Sequence, residues 1–424
     1  MPDIIVLGAG MVGVSTALAL QARGHQVTLI DRREPGRETS FGNAGIIQVE
    51  AAEPYAMPRD LLTLMRYGFR QSNDLDWNLR GVVNMAPALW RYWRASSPQH
   101  SEARGAIYAQ LTGPATEDHA PLIAEAEAEH LISRKGLALV FRQSRSFEAE
   151  AINAARLHDR YGVAFRTLAG TEWLREEPAL RHAPAGVVHY TGCWSVSDPG
   201  ALVTAYATLF ERRGGRILMS DADGLTRTTT GWQILSEAGV IEASAVVLCL
   251  GPWTPALLRR VAGIRVPMVL KRGYHGHYDA PRRPGMPYLD ADHGVVLSPM
   301  RQGLRMATGA ALVPFASAPD PRQLDRAEGR VGDLIDLGPR IAEPQWFGTR
   351  PCLPGMLPMV GKVPGQPGLW VNFGHGHQGF TLGPTTARLL AGAMSGEVNP
   401  LQQAIAPERL LGRELPFTSF RHGR

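Results

Sequence analysis

The residues with the plainest chemistry in this chain are three glycines and one acid. The apolar run Ile4-Ile5-Val6-Leu7 opens into Gly8-Ala9-Gly10-Met11-Val12-Gly13, and Asp31 closes the next apolar run, Val27-Thr28-Leu29-Ile30. Residues of these types at this spacing bind a dinucleotide. Gly8 permits a tight turn, Gly10 lets main chain approach a pyrophosphate, and Gly13 lets the following helix lie close to the strand. Free amides at the helix start then face the phosphates, where the helix dipole favours negative charge. Asp31 lies 23 positions beyond Gly8, a spacing suited to a carboxylate that accepts hydrogen bonds from ribose hydroxyls.

A second glycine-rich turn stands near the far end: Phe373-Gly374-His375-Gly376-His377-Gln378-Gly379-Phe380-Thr381, then Leu382-Gly383-Pro384 and an apolar helix over Ala387–Met394. Its glycines let main chain approach a planar ligand. Its helix start offers donors to a developing negative charge, such as a reduced flavin carries near N1 and the C2 carbonyl. The same residues also suit a tight loop that only leads into a helix.

Other chemistries are excluded by residue type and spacing. Cys193, Cys249 and Cys352 are three cysteines with no CxxC spacing, so neither a disulfide framework nor a zinc site is expected. His375 and His377 are two apart in a glycine turn with no third ligand, and no metal is expected there. The net charge of +5 is carried almost wholly by arginine, since Lys135, Lys271 and Lys362 are the only lysines. No basic stripe interleaves with aromatics, which argues against nucleic acid. No apolar run reaches the roughly 18 residues of a membrane span. The nucleotide strand starts at Ile4, leaving no room for a signal peptide, and a cytoplasmic location is expected.

Positioning these residues takes elements spread over all 424 residues, 44% of them hydrophobic, enough for two or three domains with a large core. After the opening βαβ and a polar loop comes Ser40-Phe41-Gly42-Asn43-Ala44-Gly45. Residues 61–93 read as helices that pack on the nucleotide domain, and 102–133 as a helical excursion. Strands are expected at 137–142 and 186–190, with a helix over 150–161 between them. Ser197-Asp198-Pro199-Gly200 starts a helix that Gly214-Gly215 ends. A strand at 216–221, a hairpin-like pair around Gly231 and a buried strand at 245–250 follow. Alternating strands run from 266 to 309, and a helix is expected over 325–337. The fold class is therefore α/β with α+β insertions, the Rossmann-type domain being discontinuous and an antiparallel-sheet domain being inserted in it.

The ordered set of motifs resembles the D-amino-acid oxidase superfamily of FAD enzymes. It comprises Gly8 to Gly13, Thr39 to Gly45, Lys271-Arg272-Gly273-Tyr274, Arg350-Pro351, Leu357-Pro358-Met359-Val360-Gly361 and Gly374 to Gly379. Within the superfamily it is similar to the D-amino-acid dehydrogenases of the small-subunit type and still more to a glyphosate-oxidoreductase-like branch. The likeness covers nearly the whole length, with residues 95–135 the least distinctive. It implies an FAD-binding domain from 1–94, 197–265 and 345–424, and a substrate-binding domain from 95–196 and 266–344.

What the resemblance implies for single positions is specific. Gly8, Ala9, Gly10, Met11, Val12, Gly13 and Asp31 match the ADP half of the FAD site, with Arg32 beside the adenosine. Ser40, Asn43, Ala44 and Gly45 match the segment under the pyrophosphate that reaches the isoalloxazine edge. Gly42 stands where relatives with covalent flavin carry histidine, so non-covalent FAD is implied. Gly251 and Trp253 match the turn after the second nucleotide-side strand, and Gly376, His377, Gln378 and Gly379 the loop at the flavin pyrimidine end. Arg350 matches the arginine that holds the substrate carboxylate. A planar guanidinium suits that task, and Pro351 biases it away from helix. Tyr274 matches a tyrosine near the substrate, though packing on the inserted sheet explains it nearly as well. His377 is the leading polar contact or proton acceptor, against a purely structural hydrogen bond. One departure stands out: Thr308-Gly309-Ala310-Ala311 has Ala311 where relatives often carry glutamate.

The implied activity is oxidative deamination of an amino acid, a D-amino acid first, by hydride transfer from Cα to flavin N5. The imino acid then hydrolyses to a keto acid and ammonia. Oxidation of N-substituted glycines, and membership of an opine- or hydroxyproline-oxidising complex as its catalytic subunit, remain open beside it. So do an NAD-dependent dehydrogenase and a non-catalytic flavoprotein. Oxygen or a quinone is the implied electron acceptor. Peripheral association with the inner membrane or with partner subunits is left open, and no segment reads as a membrane-binding helix.

Overall fold

The computed structural model describes residues 3–69 and 73–411. Two sheets organise it. The first has six strands in the order Arg216–Met219, Val27–Asp31 (β2), Ile4–Leu7 (β1), Ala245–Leu248, Leu369–Phe373 and Met359–Lys362. The first five run parallel and the last is antiparallel. β1 and Ala245–Leu248 are buried at every residue, as strands covered on both faces must be. The helix α1, Met11–Gln21, is buried along most of its length between this sheet and the helix Gly379–Met394.

The second sheet has ten strands, centred on the long strand Val269–Tyr278. One of its edges pairs with Gly303–Ala307 and Ala310–Leu312, the other with Trp346–Cys352, all antiparallel. Two of its pairings are parallel, Tyr288–Asp290 with Leu137–Phe141 and Ala310–Leu312 with Leu75–Trp77. Its core is a separate cluster that includes Trp173, Tyr278, Tyr288, Leu304 and Met306. Asp198 caps the helix Pro199–Arg212 by accepting from Ala201 N, as the Ser-Asp-Pro-Gly start predicts.

The structure departs from the expected organisation at several segments. Trp346–Cys352 and Leu75–Trp77, both assigned to the nucleotide side, are strands of the second sheet. The helices Pro98–Thr112 and Ala115–Glu125 go the other way: Tyr108, Leu111, Ala115 and Ile123 pack into the core around α1. The helix expected over 325–337 runs instead over Arg322–Val331 and closes at Gly332.

The helix α3, Leu79–Ala95, which follows α2, Leu61–Gly68, does not pack on the nucleotide domain as expected. α3 turns Met85, Ala88 and Tyr92 onto Val269, Leu312, Cys352 and Met356 beside the second sheet. Its other face exposes Leu79, Val83 and Trp90, and α2 exposes Leu61, Leu62 and Met65. Among the described residues no helix is long and apolar enough to cross a membrane.

Four buried imidazoles make this fold acid-sensitive. Burial pushes His119 down to about 4, His375 to about 3 and His377 to about 3, and it pushes His275 to about 2. Arg305 and His277 add to the shift at His275, and Arg350 and Lys271 to that at His377. Each is neutral when folded and protonates near its ordinary value of about 6.5 when unfolded. The unfolded chain thus binds more protons, and each group removes up to ~1.4 kcal/mol of stability per pH unit below about 6.5. Glu50 and Asp31, whose carboxyls burial holds high, act in the opposite sense but are only two. Melting temperature is expected to fall steadily from pH 7.5 to 5.5; a flat profile contradicts this.

Candidate functional site

One elongated cavity of about 880 Å³ runs between the two sheets, from the first glycine turn to α3. Its size is that of a site for a cofactor-sized ligand.

At one end lies the glycine cradle. Gly8 has φ +106, and a Cβ there would stand 2.6 Å from Cys249 O; a Cβ on Gly13 would stand 1.7 Å from Gly8 O. Strand and helix therefore touch as only glycine permits. Gly10 caps α1 without a side chain and no acid stands in the first turn, so the positive helix end is left for an anion. Ser40 Oγ accepts from Met11 N at 3.0 Å. Met11 and Val12 line the cavity, whereas Ala9 and Gly13 shape it from behind. Asp31 also lines it, but its oxygens already accept main-chain N–H groups, Ala9 N at 2.6 Å and Arg33 N at 3.1 Å. The carboxylate thus ties the turn to β2 while lining the cavity.

Arg32 pairs with Glu38 at 2.7 Å and lies over the Trp253 ring at 4.6 Å, closing this end together with Gly251. Ser40, Asn43 and Ala44 line the middle of the cavity. Gly45, at φ +68, holds the segment by accepting from Val196 N and donating to Asn43 Oδ1. A Cβ on Gly42 would fall 2.0 Å from Trp346 Cη2. That position has neither a nucleophile nor room for one.

The second sheet supplies the floor. Residues of one face of a strand alternate, and Gly273 and His275 fall on the same face as their partners Gly348 and Trp346. His275 stacks on Trp346 with centroids 4.5 Å apart. On this same face Lys271 stands opposite Arg350. Arg350 crosses over Gly273, its Nη1 donating to Gly309 O at 2.9 Å and Nη2 to Thr308 O at 3.3 Å.

Strand parity puts Tyr274 on the opposite face from Lys271, Gly273 and Arg350. Although the residue borders the cavity, its ring packs near Phe347 and its hydroxyl accepts from Asp320 N at 3.3 Å. Ala311 is also on that face, opposite Arg272, whose guanidinium donates to Phe315, Ser317 and Ala318 carbonyls. A missing carboxylate at 311 therefore leaves the cavity face unaltered.

The second glycine turn arrives as expected, with Gly374 at φ +85 and Gly376 at φ +60. Gly376 N donates to Pro351 O, tying the turn to the arginine strand. His377 lines the cavity, meets the Tyr55 ring edge-on at 4.7 Å, and has an enclosed Nε2 with no partner. Held at about 3, its imidazole is neutral at neutral pH and a weak base. Gln378 does not line the cavity; it donates to Gln48, which does. His375 also borders the cavity, its Nε2 bonding Thr386 Oγ1 at 3.0 Å.

Tyr55, Tyr92 and Arg305 carry no sequence signal of their own, and Lys271, though part of a motif, gains meaning only once its register with Arg350 is known. Tyr55, Tyr92 and Lys271 line the end of the cavity near Arg350. Arg305 donates to the Phe41 and Asn43 carbonyls at 3.2 and 2.6 Å, clamping the loop beneath the cavity. Its Nε donates to His277 Nε2, and His277 Nδ1 bonds Glu343 at 2.8 Å. The ligand atoms of His275, His277 and Glu343 come within 4.8 Å of one another. With both nitrogens of His277 engaged, however, the group is a hydrogen-bond chain.

Residues 3–393 match the DAO family model, described as FAD dependent oxidoreductase. A D-amino acid dehydrogenase of Paramagnetospirillum magneticum is 31% identical over 418 residues, covering 93% of this chain and 95% of its own. A D-amino-acid oxidase of Bradyrhizobium diazoefficiens is 29% identical, covering 97% and 100%. Among solved structures, glycine oxidase from Geobacillus kaustophilus has a TM-score of 0.73 at 20% identity, covering 98% of this chain and 99% of its own. Iminodiacetate oxidase from Chelativorans has 0.69 at 21%, covering 95% and 98%. These two show a shared fold.

Proposed function

This chain belongs to the DAO family of FAD-dependent oxidoreductases, and from that premise we propose that it oxidises an amino acid, a D-amino acid first, at the carbon bearing nitrogen. The imino acid released would hydrolyse to a keto acid and ammonia. The relatives named D-amino acid dehydrogenase and D-amino-acid oxidase support the substrate class. The observation that carries it is Arg350, a guanidinium directed into the cavity and held in place by two carbonyls rather than a carboxylate.

The residues present fit FAD: the cradle admits no Cβ, the helix start is free of acids, and the cavity extends continuously to Arg350. Gly8, Gly10, Met11, Val12, Asp31, Arg32 and Ser40 would hold its ADP half, and the turn Gly376 to Gly379 its pyrimidine end. FAD supplies the hydride acceptor. Arg350 binds the substrate carboxylate through two parallel charge-assisted bonds. That fixes the orientation of Cα–H, and orientation is a large share of such a rate enhancement. Tyr55, Tyr92 and Met356 wall the chamber against water. His377 offers a neutral imidazole to the substrate.

We also propose that FAD is bound without a covalent link, since Gly42 faces the Trp346 ring. Acid precipitation of the yellow holoenzyme is expected to leave all of the flavin in the supernatant; flavin retained in the pellet contradicts this. The function itself is tested by incubating the holoenzyme with D-amino acids, L-amino acids and N-substituted glycines and measuring ammonia and keto acid. Production from D-amino acids is the expected result. Turnover confined to N-substituted glycines moves the assignment to secondary amines, and no product from the panel overturns it.

A further inference from the structure

We propose that Lys271 and Arg350 form a paired anion site, and that the preferred substrate carries a second anionic group besides its α-carboxylate. This rests on the amino-acid reading above and deepens it. Lys271 and Arg350 are directly opposite in the antiparallel register of Val269–Tyr278 with Trp346–Cys352, and both line the cavity. Directly opposed residues share a face and come within contact distance, and like charges so placed weaken a sheet. Removing them from water sharpens the repulsion, because the surrounding dielectric is lower. Such a pair is expected to bring an anion of its own; the Cys352 thiol faces both cations, but burial pushes its pKa up and keeps it neutral, and among the described residues neither side chain enters an ion pair with a carboxylate.

The contacts they do make hold them in place without neutralising them. Arg350 donates to the Gly309 and Thr308 carbonyls. Lys271 Nζ donates to Tyr92 Oη at 3.3 Å and stands 4.6 Å from the Tyr92 ring centre. The Tyr92 hydroxyl in turn donates to Tyr55 O, so its oxygen is left to accept from the lysine. Of the three donors on an ammonium, one is used. Val82, Leu89, Leu312 and Met356 give this end an apolar wall; Asp74 also lines the cavity, and no ion pair between it and either cation is seen among the described residues. Composition does not explain the residue either. This chain uses arginine for nearly all its positive charge, and one of its three lysines stands here.

The second anion can sit on the side chain, as in an α-amino dicarboxylate, or on the nitrogen substituent, as in an N-carboxymethyl amino acid. Three pairs separate charge from shape: D-glutamate with D-glutamine, D-aspartate with D-asparagine, and iminodiacetate with N-methylglycine. We expect kcat/KM to favour the dianion by about ten-fold or more in at least one pair. In Lys271→Met that ratio falls to roughly one, and Lys271→Arg restores most of it. Binding without turnover gives an independent readout: malonate and succinate perturb the bound-flavin absorbance more tightly than acetate and butyrate, and Lys271→Met abolishes the difference. Flavin content and melting temperature of Lys271→Met report any purely structural role through Tyr92. Turnover with no charge preference, or a preference that survives Lys271→Met, overturns the anion site and leaves amino-acid oxidation standing. Dicarboxylate binding that needs Lys271, with no amine in the panel oxidised, supports the anion site and overturns the amino-acid reading.

Discussion

Arg350→Met lowers kcat/KM for the amino-acid substrate by about 10²- to 10³-fold, chiefly through KM. Truncating one partner of a buried, hydrogen-bonded charge pair removes ~2–5 kcal/mol of binding, and each ~1.4 kcal/mol is tenfold. The substrate carboxylate would face a cavity whose remaining cation on that face is Lys271, a point charge without the planar fork. For the same reason Arg350→Lys recovers little. It also gives up the double contact with the Gly309 and Thr308 carbonyls that fixes the donor directions. Flavin content is expected to stay near the parent's, because Arg350 belongs to the second sheet and not to the cradle. Steady-state kinetics beside a flavin spectrum check this, and parent-like kinetics in Arg350→Met remove the arginine from substrate binding.

Gly13→Ala yields a protein that loses its FAD and much of its stability. A Cβ at 1.7 Å from Gly8 O has no flexible neighbour to displace, since the obstacle is main chain. α1 must move off β1, and the amides that face the pyrophosphate move with it. Overpacking of this kind destabilises by ~1–3 kcal/mol and sometimes more. Gly329→Ala is the matched control: it lies in the helix Arg322–Val331, has ordinary φ, and a Cβ there meets nothing within 4 Å. It is expected to keep its flavin and to gain slightly in helix propensity. The ratio of flavin to protein absorbance and a denaturant midpoint distinguish the two. A yellow, stable Gly13→Ala contradicts the close approach of helix and strand.

Much of the cofactor side was legible because its chemistry is local. A turn that needs φ > 0, a helix start and an acid at the end of the next strand all lie within 31 residues. The Asp198 cap and the two glycine turns were readable on the same ground. The substrate side was not, since it depends on pairings between distant segments. Tyr274 and Lys271 stand in one motif, and only parity in the strand sends one to Phe347 and the other to the cavity. Arg305 reaches Phe41 and Asn43 across more than 260 positions. Composition marks 61–93 and 102–133 as helical, but it does not say which surface these helices meet. Hence the helix Leu79–Ala95, expected on the nucleotide domain, lies over the second sheet, while the helices Pro98–Thr112 and Ala115–Glu125 go the other way.

The measurement that tests the central claim most directly is anaerobic bleaching of the holoenzyme's visible flavin absorbance by amino acids. A D-amino acid is expected to bleach it rapidly and stoichiometrically in the parent and only slowly in Arg350→Met. A flavin that stays oxidised in the presence of every D-amino acid, L-amino acid and N-substituted glycine offered would contradict amino-acid oxidation at this site.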